Sequence, residues 1–196
     1  MSRDENFKKW ERILDPKILK RRVISYSVFI SAFEMLKNVV IGRLERFYIN
    51  FDDEQDKIEY KIKVLDRNKS KLYASLNWLV EYNALEQVDI DEFERLKIIR
   101  NKLSHEMLDL LPEDELFDVT NEIRAIIELT RKVEIWWFCN LEMAIDPDSY
   151  PEDMDIEQVQ PMTVFMLQLM CSVALGDEKA ADEMFAEFTS QYNSHN

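Results

Sequence analysis

The sequence is short of the residues that break helices. It contains 2 glycines and 5 prolines in 196 residues, well below their average usage of about 7% and about 5%. Hairpins and tight turns depend on these residues, so their scarcity leaves little room for β-structure. The composition therefore predicts an all-α fold. Hydrophobic residues make up 46% of the chain, which is enough to build a core of its own.

Long apolar runs and secretory features are also missing. The longest apolar stretch, residues 162–175, is interrupted by polar residues and is too short to cross a bilayer. The N-terminal residues are charged and have no apolar segment behind them, so no signal peptide is predicted. Cys139 and Cys171 are expected to be buried free thiols. We therefore expect a cytoplasmic protein with no membrane segment.

Metal-ligand patterns are absent as well. No cluster of His, Cys, Asp or Glu has the spacing of a metal site, and no cofactor is expected. The chain has 2 histidines. His195 lies in a polar tail that is expected to be disordered, which leaves His105 as the histidine of interest.

The net charge of −14 is unevenly distributed. Residues 142–196 contain twelve acidic residues and one lysine, and residues 1–22 and 57–73 each carry a local excess of four positive charges. The run 17–22 is either a solvated helix face or, with segment 57–71, a surface that steers a polyanion. The acidic C-terminal third would repel a polyanion.

Apolar residues recur at spacings of three and four along most of the chain, which predicts amphipathic helices. A linker with two prolines and four acids, residues 146–153, divides a helical bundle (1–145) from an acidic C-terminal part (146–196). The architecture predicted is an antiparallel helical bundle with a C-terminal helical hairpin that packs on the bundle or on a partner. The predicted helices are a short one within residues 1–22 that breaks near Asp15 and Pro16, then 23–51, 57–65, 72–85, 89–111, 113–144, 161–175 and a last one from 177.

Several positions in this pattern have specific predicted roles. Asp89 is expected to be the N-cap of the fourth helix, and the helix over 161–175, apolar nearly all round, is expected to be buried. For Trp136 and Trp137, packing in the core is favoured over a platform for stacking bases.

The segment Arg100-Asn101-Lys102-Leu103-Ser104-His105 is the one stretch that indicates chemistry. At about 100° per residue, Leu96, Ile99, Leu103, Met107 and Leu110 share the core face of its helix, with Arg100 at the edge of that face. A second, partly apolar face consists of Ile98, Asn101, His105 and Leu108. His105 is about 140° from Arg100. A helix with two such faces needs a second surface against it, either another helix or a second copy of the protein.

Arginine and histidine together suit phosphodiester cleavage in RNA. Histidine exchanges a proton near neutral pH, and arginine binds a phosphate and stabilises the charge that develops on it. The RNA 2′-hydroxyl can serve as an internal nucleophile. In this interpretation Arg100 contacts the phosphate, His105 is the general acid/base, Asn101 orients His105 or the substrate, and Lys102 adds a phosphate contact.

The run from Phe93 to His105 resembles the signature of the HEPN superfamily (higher eukaryote and prokaryote nucleotide-binding domains). That signature is an arginine, a polar residue and, after three or more further residues, a histidine, late in a bundle helix. Arg100, Asn101 and His105 match it. The resemblance implies a dimeric antiparallel bundle, and many members are metal-independent ribonucleases with toxin or defence roles. In these, arginines and histidines of both protomers line a shared cleft, and a protein partner such as an antitoxin can be present.

Two other interpretations compete with the ribonuclease. The stretch from Leu72 to Val119 is broadly similar to the mannitol operon repressor family, whose all-helical members act as transcriptional regulators without a recognisable DNA-reading helix. The chain would then be a non-catalytic regulatory or interaction module. A purely structural role is also open, in which Arg100 forms a salt bridge within the bundle and His105 caps the helix end or bonds a backbone carbonyl.

Overall fold

The computed structural model describes residues 7, 10–11, 13–49, 53–111, 118–151 and 153–176. Within these ranges all regular structure is helical, and no strand occurs. The predicted all-α class is confirmed. Six helices form the body of the fold: α1 (Pro16–Tyr48), α2 (Glu54–Lys63), α3 (Lys71–Glu81), α4 (Gln87–His105), α5 (Thr120–Trp137) and α6 (Met162–Leu175).

Helix α1 begins earlier than predicted. The Asp15 side chain accepts hydrogen bonds from the backbone N–H groups of Lys17 at 2.8 Å and Ile18 at 3.3 Å, and Pro16 occupies the first turn. The basic run 17–22 thus forms the start of this helix instead of preceding it. Helix α1 packs against all five other helices. Phe29, Leu36 and Leu44 of its apolar stripe are fully buried, whereas Phe47 near its end is exposed.

Side-chain contacts show the directions of the helices. Arg22 donates to the backbone carbonyl of Leu111, and Phe33 lies against Phe93 with ring centroids 5.2 Å apart. Helices α1 and α4 are therefore antiparallel. Helix α4 is also antiparallel to α5, because Arg95 pairs with Glu122 and Lys132 pairs with Asp89. These contacts fit the predicted antiparallel bundle.

The N-cap of α4, at the turn between α3 and α4, is not the predicted residue. Asn83 adopts a left-handed backbone with φ of 57°, a conformation that asparagine tolerates better than most residues. Glu86 is the N-cap of α4, and Asp89, predicted for that place, stands three residues later. Its carboxylate accepts from the Glu86 backbone N–H at 2.7 Å. The prediction was wrong because an acid three residues inside a helix and an acid at its N-cap give similar sequence signals.

Helix α5 begins later than the predicted helix 113–144, whereas helical structure continues to Ile145, close to the predicted end. Residues 112–117 lie outside the described ranges, and Asp118 and Val119 are not helical. The Asp118 carboxylate accepts from the Thr120 backbone N–H at 2.9 Å and from its hydroxyl at 2.6 Å, which places the start at Thr120. After Trp137 the helix continues as a π-helical turn, Phe138–Glu142.

The tryptophan pair packs in the core, as predicted. Trp137 is buried and stacks on Trp78 with ring centroids 5.7 Å apart. Trp136 meets Trp78 edge-on at 5.7 Å. The aromatic cluster thus joins α3 to the end of α5 and uses both rings for packing.

Helix α6 is less buried than predicted. Val164 and Leu167 are buried against α1 and α5, whereas Met162, Met166 and Val173 are exposed. The prediction of an all-round buried helix was wrong, because the bundle covers one face of it. The predicted final helix from Asp177 and the tail with His195 lie outside the described ranges.

Both cysteines are free and partly buried. They are therefore more accessible than the buried thiols that were expected. Burial raises the pKa of the Cys171 thiol, which keeps it in its protonated form.

Helix α1 is long and apolar enough to cross a membrane by length and composition alone. Half of its apolar window is buried inside the fold, as in the core helix of a soluble protein. Nothing in the described ranges clearly marks the chain as a membrane protein.

We predict that Leu96→Ala lowers the free energy of unfolding by about 2–5 kcal/mol, because Leu96 is fully buried and its truncation leaves a cavity. The matched control is Leu14→Ala, since Leu14 is 73% exposed and its loss should change stability by less than about 0.5 kcal/mol. Urea unfolding followed by circular dichroism measures both. Equal losses for the two variants would contradict the helix register described here.

Candidate functional site

The helix that carries the motif ends at His105. Glu106 leaves the helical conformation with φ of −117° and ψ of 16°, and a separate turn, Met107–Leu110, follows. The Glu106 N–H still bonds the Lys102 carbonyl at 2.8 Å. The predicted continuous helix 89–111 is corrected accordingly. His105 is therefore in the last turn of α4, next to the point where the helix is interrupted.

Buried Arg22 stabilises the turn that follows this interruption of the helix. Its guanidinium donates to the backbone carbonyls of Leu110, at 3.4 Å, and Leu111. Carbonyls at a helix end lack partners within the helix, so a buried cation from α1 satisfies them. Arg22 thus has a structural role, unlike the rest of the basic run in which it lies.

The two predicted faces of α4 differ in burial. On the core face, Leu96 and Leu103 are buried and Ile99 packs against the core. On the second face, Ile98 is 67% exposed and Leu108, beyond the interruption, is 81% exposed. The motif thus lies on a solvent-facing surface with apolar side chains at both ends.

Asn101 and His105 are both exposed between these apolar side chains. They are one helical turn apart, a spacing at which side chains are neighbours. His105 is therefore open to solvent and available for proton transfer. Within the described ranges, no group of three or more His, Cys, Asp or Glu residues could hold a metal ion.

Arg100 is half-buried at the edge of the core face. Its Nη2 donates to Glu34 of α1 at 2.6 Å, and its Nη1 donates to the Asn101 side-chain oxygen at 3.3 Å. Arg100 and His105 leave the helix in different directions, as expected. Asn101 lies between them in sequence: it accepts a hydrogen bond from Arg100 and is one helical turn before His105.

Glu34 is a residue that the sequence did not reveal. Its second carboxylate oxygen accepts from Lys37 at 2.5 Å. The hydrogen bond from Lys37, and after it the one from Arg100, hold the pKa of Glu34 below its ordinary value. Glu34 and Lys37 each follow a core residue of α1 directly, but the sequence does not show which residue of α4 they face.

Lys97 is a second residue that sequence reasoning missed. It lies one turn before Asn101 on α4, and its ammonium group is 4.5 Å from the centre of the Tyr73 ring. Its hydrogen bond to the Tyr73 hydroxyl, and then the nearby Glu94 carboxylate, raise the pKa of Lys97. Lys102 is exposed on the following turn. Lys97 is thus a neighbour of Asn101 on the helix surface, whereas Lys102, the next residue in sequence, projects to a different side of the helix.

The first basic segment lies at the end of the bundle where α4 ends. Lys17, Lys20 and Arg21 are exposed and line an open groove of about 450 Å³ together with Asp118 and Thr120. Its lining also includes Ala174 and Leu175 at the end of α6. The groove thus belongs to the surface formed by α1, α5 and α6, whereas His105 is on α4.

The second basic segment is remote from the motif. Tyr60 of α2 lies beside Tyr48, with ring centroids 6.0 Å apart, and Tyr48 is about 20 Å along α1 from Glu34 at about 1.5 Å per residue. Three of its cations are in ion pairs: Lys57 with Glu54, Arg67 with Glu81, and Lys71 with Glu45. Segment 57–71 is thus poorly placed to bring RNA to His105.

Comparison with known proteins gives no match to a protein family, to a curated protein or to a solved structure. Any proposal about the function of this protein therefore depends on the chemistry of its residues.

We predict that Glu34→Gln weakens the dependence of stability on acid. Because the folded protein has a lowered pKa at Glu34, its ionised form stabilises the fold above the ordinary value of 4.5, and this contribution is lost as the pH falls through the lowered pKa. Thermal melts from about pH 6 to about pH 3 should fall more steeply for the wild type than for the variant. Lys37→Met, which removes the largest cause of the shift, should give an intermediate slope. Parallel curves for all three proteins would contradict the ion-pair network.

Proposed function

We propose that the protein is a metal-independent, cytoplasmic endoribonuclease of HEPN type that acts as a homodimer. The observation that carries the proposal is the arrangement at the end of α4, where Arg100 bonds Asn101 and exposed His105 follows one turn later. It combines a phosphate-binding cation, a polar group that can orient a neighbour, and a group that exchanges protons near neutral pH. A role in defence, as a toxin with a partner antitoxin, belongs to the same proposal.

The chemistry requires few groups from the protein. The 2′-oxygen of RNA attacks the adjacent phosphorus, and the bond from phosphorus to the 5′-oxygen breaks. The products are a 2′,3′-cyclic phosphate and a 5′-hydroxyl. One histidine accepts the proton of the 2′-hydroxyl, and a protonated histidine donates a proton to the leaving 5′-oxygen. Arg100 stabilises the charge on the non-bridging oxygens, and Lys97 or Lys102 can contact a neighbouring phosphate.

A second protomer supplies what a single chain lacks. One chain offers one exposed histidine at the site, whereas the reaction uses both an acid and a base. Exposed Ile98 and Leu108 flank the motif and would be covered if two copies met through this face. A two-fold axis there would bring two copies of Arg100 and His105 into one cleft.

A regulatory or protein-interaction module is the second candidate, and one observation favours it. Arg100 is engaged by Glu34 within its own bundle, which gives the arginine a structural role that needs no substrate. The exposed apolar side chains of α4 would then bind a protein partner. In this case the chain would bind a protein and leave RNA intact.

We predict that the wild type cleaves single-stranded RNA without added metal, and that Arg100→Ala and His105→Ala lower the rate by at least about 100-fold. The products should carry 2′,3′-cyclic phosphate ends. Electrophoresis of labelled RNA in EDTA measures this. Intact RNA with the wild type, or equal cleavage by the variants, would refute the ribonuclease.

Two matched controls accompany this assay. Arg67→Ala removes an arginine that is also ion-paired, to Glu81 at 2.9 Å, but lies in segment 57–71, remote from the motif. His195→Ala removes the other histidine of the chain. Both should cleave RNA at the wild-type rate.

We predict that Ile98→Asp and Leu108→Asp convert a dimer into monomers and abolish cleavage together, because a charge in an apolar contact is costly to bury. Val88→Asp is the control, since Val88 is also exposed on α4 but lies ten residues before Ile98. Sedimentation equilibrium gives the mass of each protein. A monomeric wild type, or a monomeric variant that still cleaves, would contradict the shared cleft.

A further inference from the structure

The Glu34 carboxylate fixes the guanidinium of Arg100 from one side. One oxygen accepts from Arg100 Nη2 at 2.6 Å and the other from Lys37 Nζ at 2.5 Å. Arg100 Nη1 points to Asn101 at 3.3 Å, towards the exposed face of α4. Because a guanidinium group is planar and rigid, contacts on two different nitrogens set the direction of its plane.

The same carboxylate also reduces the local positive charge. Arg100, Lys37 and Glu34 together carry one positive charge, and without Glu34 they would carry two. A carboxylate and a phosphate compete for the same arginine N–H groups. The three side chains are each about one-third exposed, so a phosphate can reach this cluster.

We propose that Glu34 is a positioning residue: it orients Arg100 for an RNA phosphate and at the same time limits the affinity of Arg100 for that phosphate. The inference rests on the proposed ribonuclease function. It implies that loss of Glu34 strengthens RNA binding but slows turnover. Arg100 would then be freer to bind a phosphate but less well oriented for the reaction. A merely structural ion pair would not produce this combination.

The binding experiment uses a single-stranded oligonucleotide that is 2′-O-methylated throughout. It lacks the nucleophile and cannot be cleaved by this chemistry. We expect Glu34→Ala to bind it about two- to fivefold more tightly than the wild type, the range typical of a partly exposed ion pair. Glu34→Gln keeps the volume of the side chain and should show the same gain if the alanine variant folds poorly.

Two comparisons separate an effect on Arg100 from a general effect of charge. Glu45→Ala removes an acid of the same helix that pairs with Lys71 at 2.8 Å. Its position, about 16 Å along α1 from Glu34, is more than a Debye length of about 10 Å away, so affinity should stay at the wild-type value. In an Arg100→Ala background, the substitution Glu34→Ala should give no gain.

The cleavage experiment measures turnover with RNA of the same sequence. We expect Glu34→Ala to lower kcat by about tenfold, because misplaced catalytic groups lose rate steeply, while KM falls as well. Glu34→Asp keeps the charge, so KM should stay near the wild-type value while kcat falls.

Several results would overturn the inference: no oligonucleotide binding by any of the proteins, unchanged affinity in Glu34→Ala and Glu34→Gln, an equal gain in Glu45→Ala, or a gain that persists without Arg100. Unchanged kcat in an active enzyme would also overturn it. If the binding results agree with expectation but the wild type cleaves no RNA, the ribonuclease is refuted. Glu34 would then remain the residue that controls phosphate binding by Arg100.

Discussion

Burial of α1 is the constraint on which the rest of the structure depends. This helix has 33 residues and packs against all five other long helices, so each of them is positioned relative to it. Its apolar stripe supplies the core, and its polar edge supplies buried ion pairs. Glu134 of α5 is almost fully buried and is bonded by Arg43 of α1 and, at 2.9 Å, by Thr163 of α6. A buried carboxylate needs such partners, so one residue holds three helices in register.

Contacts with α1 set the geometry of the candidate site. Arg22 satisfies the carbonyls after the motif, and Glu34 holds Arg100, the first residue of the motif. These contacts are 12 residues apart on α1, or about 18 Å at about 1.5 Å per residue. The segment between Arg100 and Leu111 is thus tied at both ends to one rigid element. His105 lies between the ties on the solvent side, where a second surface could approach without disturbing the core.

Much of the fold follows from the sequence, because helical periodicity and the scarcity of glycine and proline act locally. The buried stripe of α1, the core face with Leu96 and Leu103, and the packing of Trp137 were all predictable in this way. The exact starts of α4 and α5 were not. Several acids near each start could serve as caps, and the backbone geometry decides among them. The burial of α6 was also unpredictable, since an apolar helix does not reveal how much surface its neighbours can cover.

The residues of the site on α4 were predictable from the sequence, but the side chains that contact them were not. Asn101 and His105 could be placed on an outward face from helical angles alone. Glu34 and Tyr73 could not be assigned, because they are 66 and 24 residues from their partners Arg100 and Lys97. Contacts at such separations depend on the register between helices, which periodicity leaves undetermined. The result changes the chemistry of the site, since the arginine proposed to bind phosphate also forms the salt bridge within the bundle that the structural interpretation expected.

Charge distribution is the remaining argument about RNA. A chain with a net charge of −14 would repel a polyanion if its charges acted as one, but at physiological salt exposed charges are screened beyond about 8 Å. The local surface then matters more than the total. Lys97, Arg100 and Lys102 lie within four residues of Asn101 on α4. An acidic protein can therefore carry cations next to the motif despite its net charge.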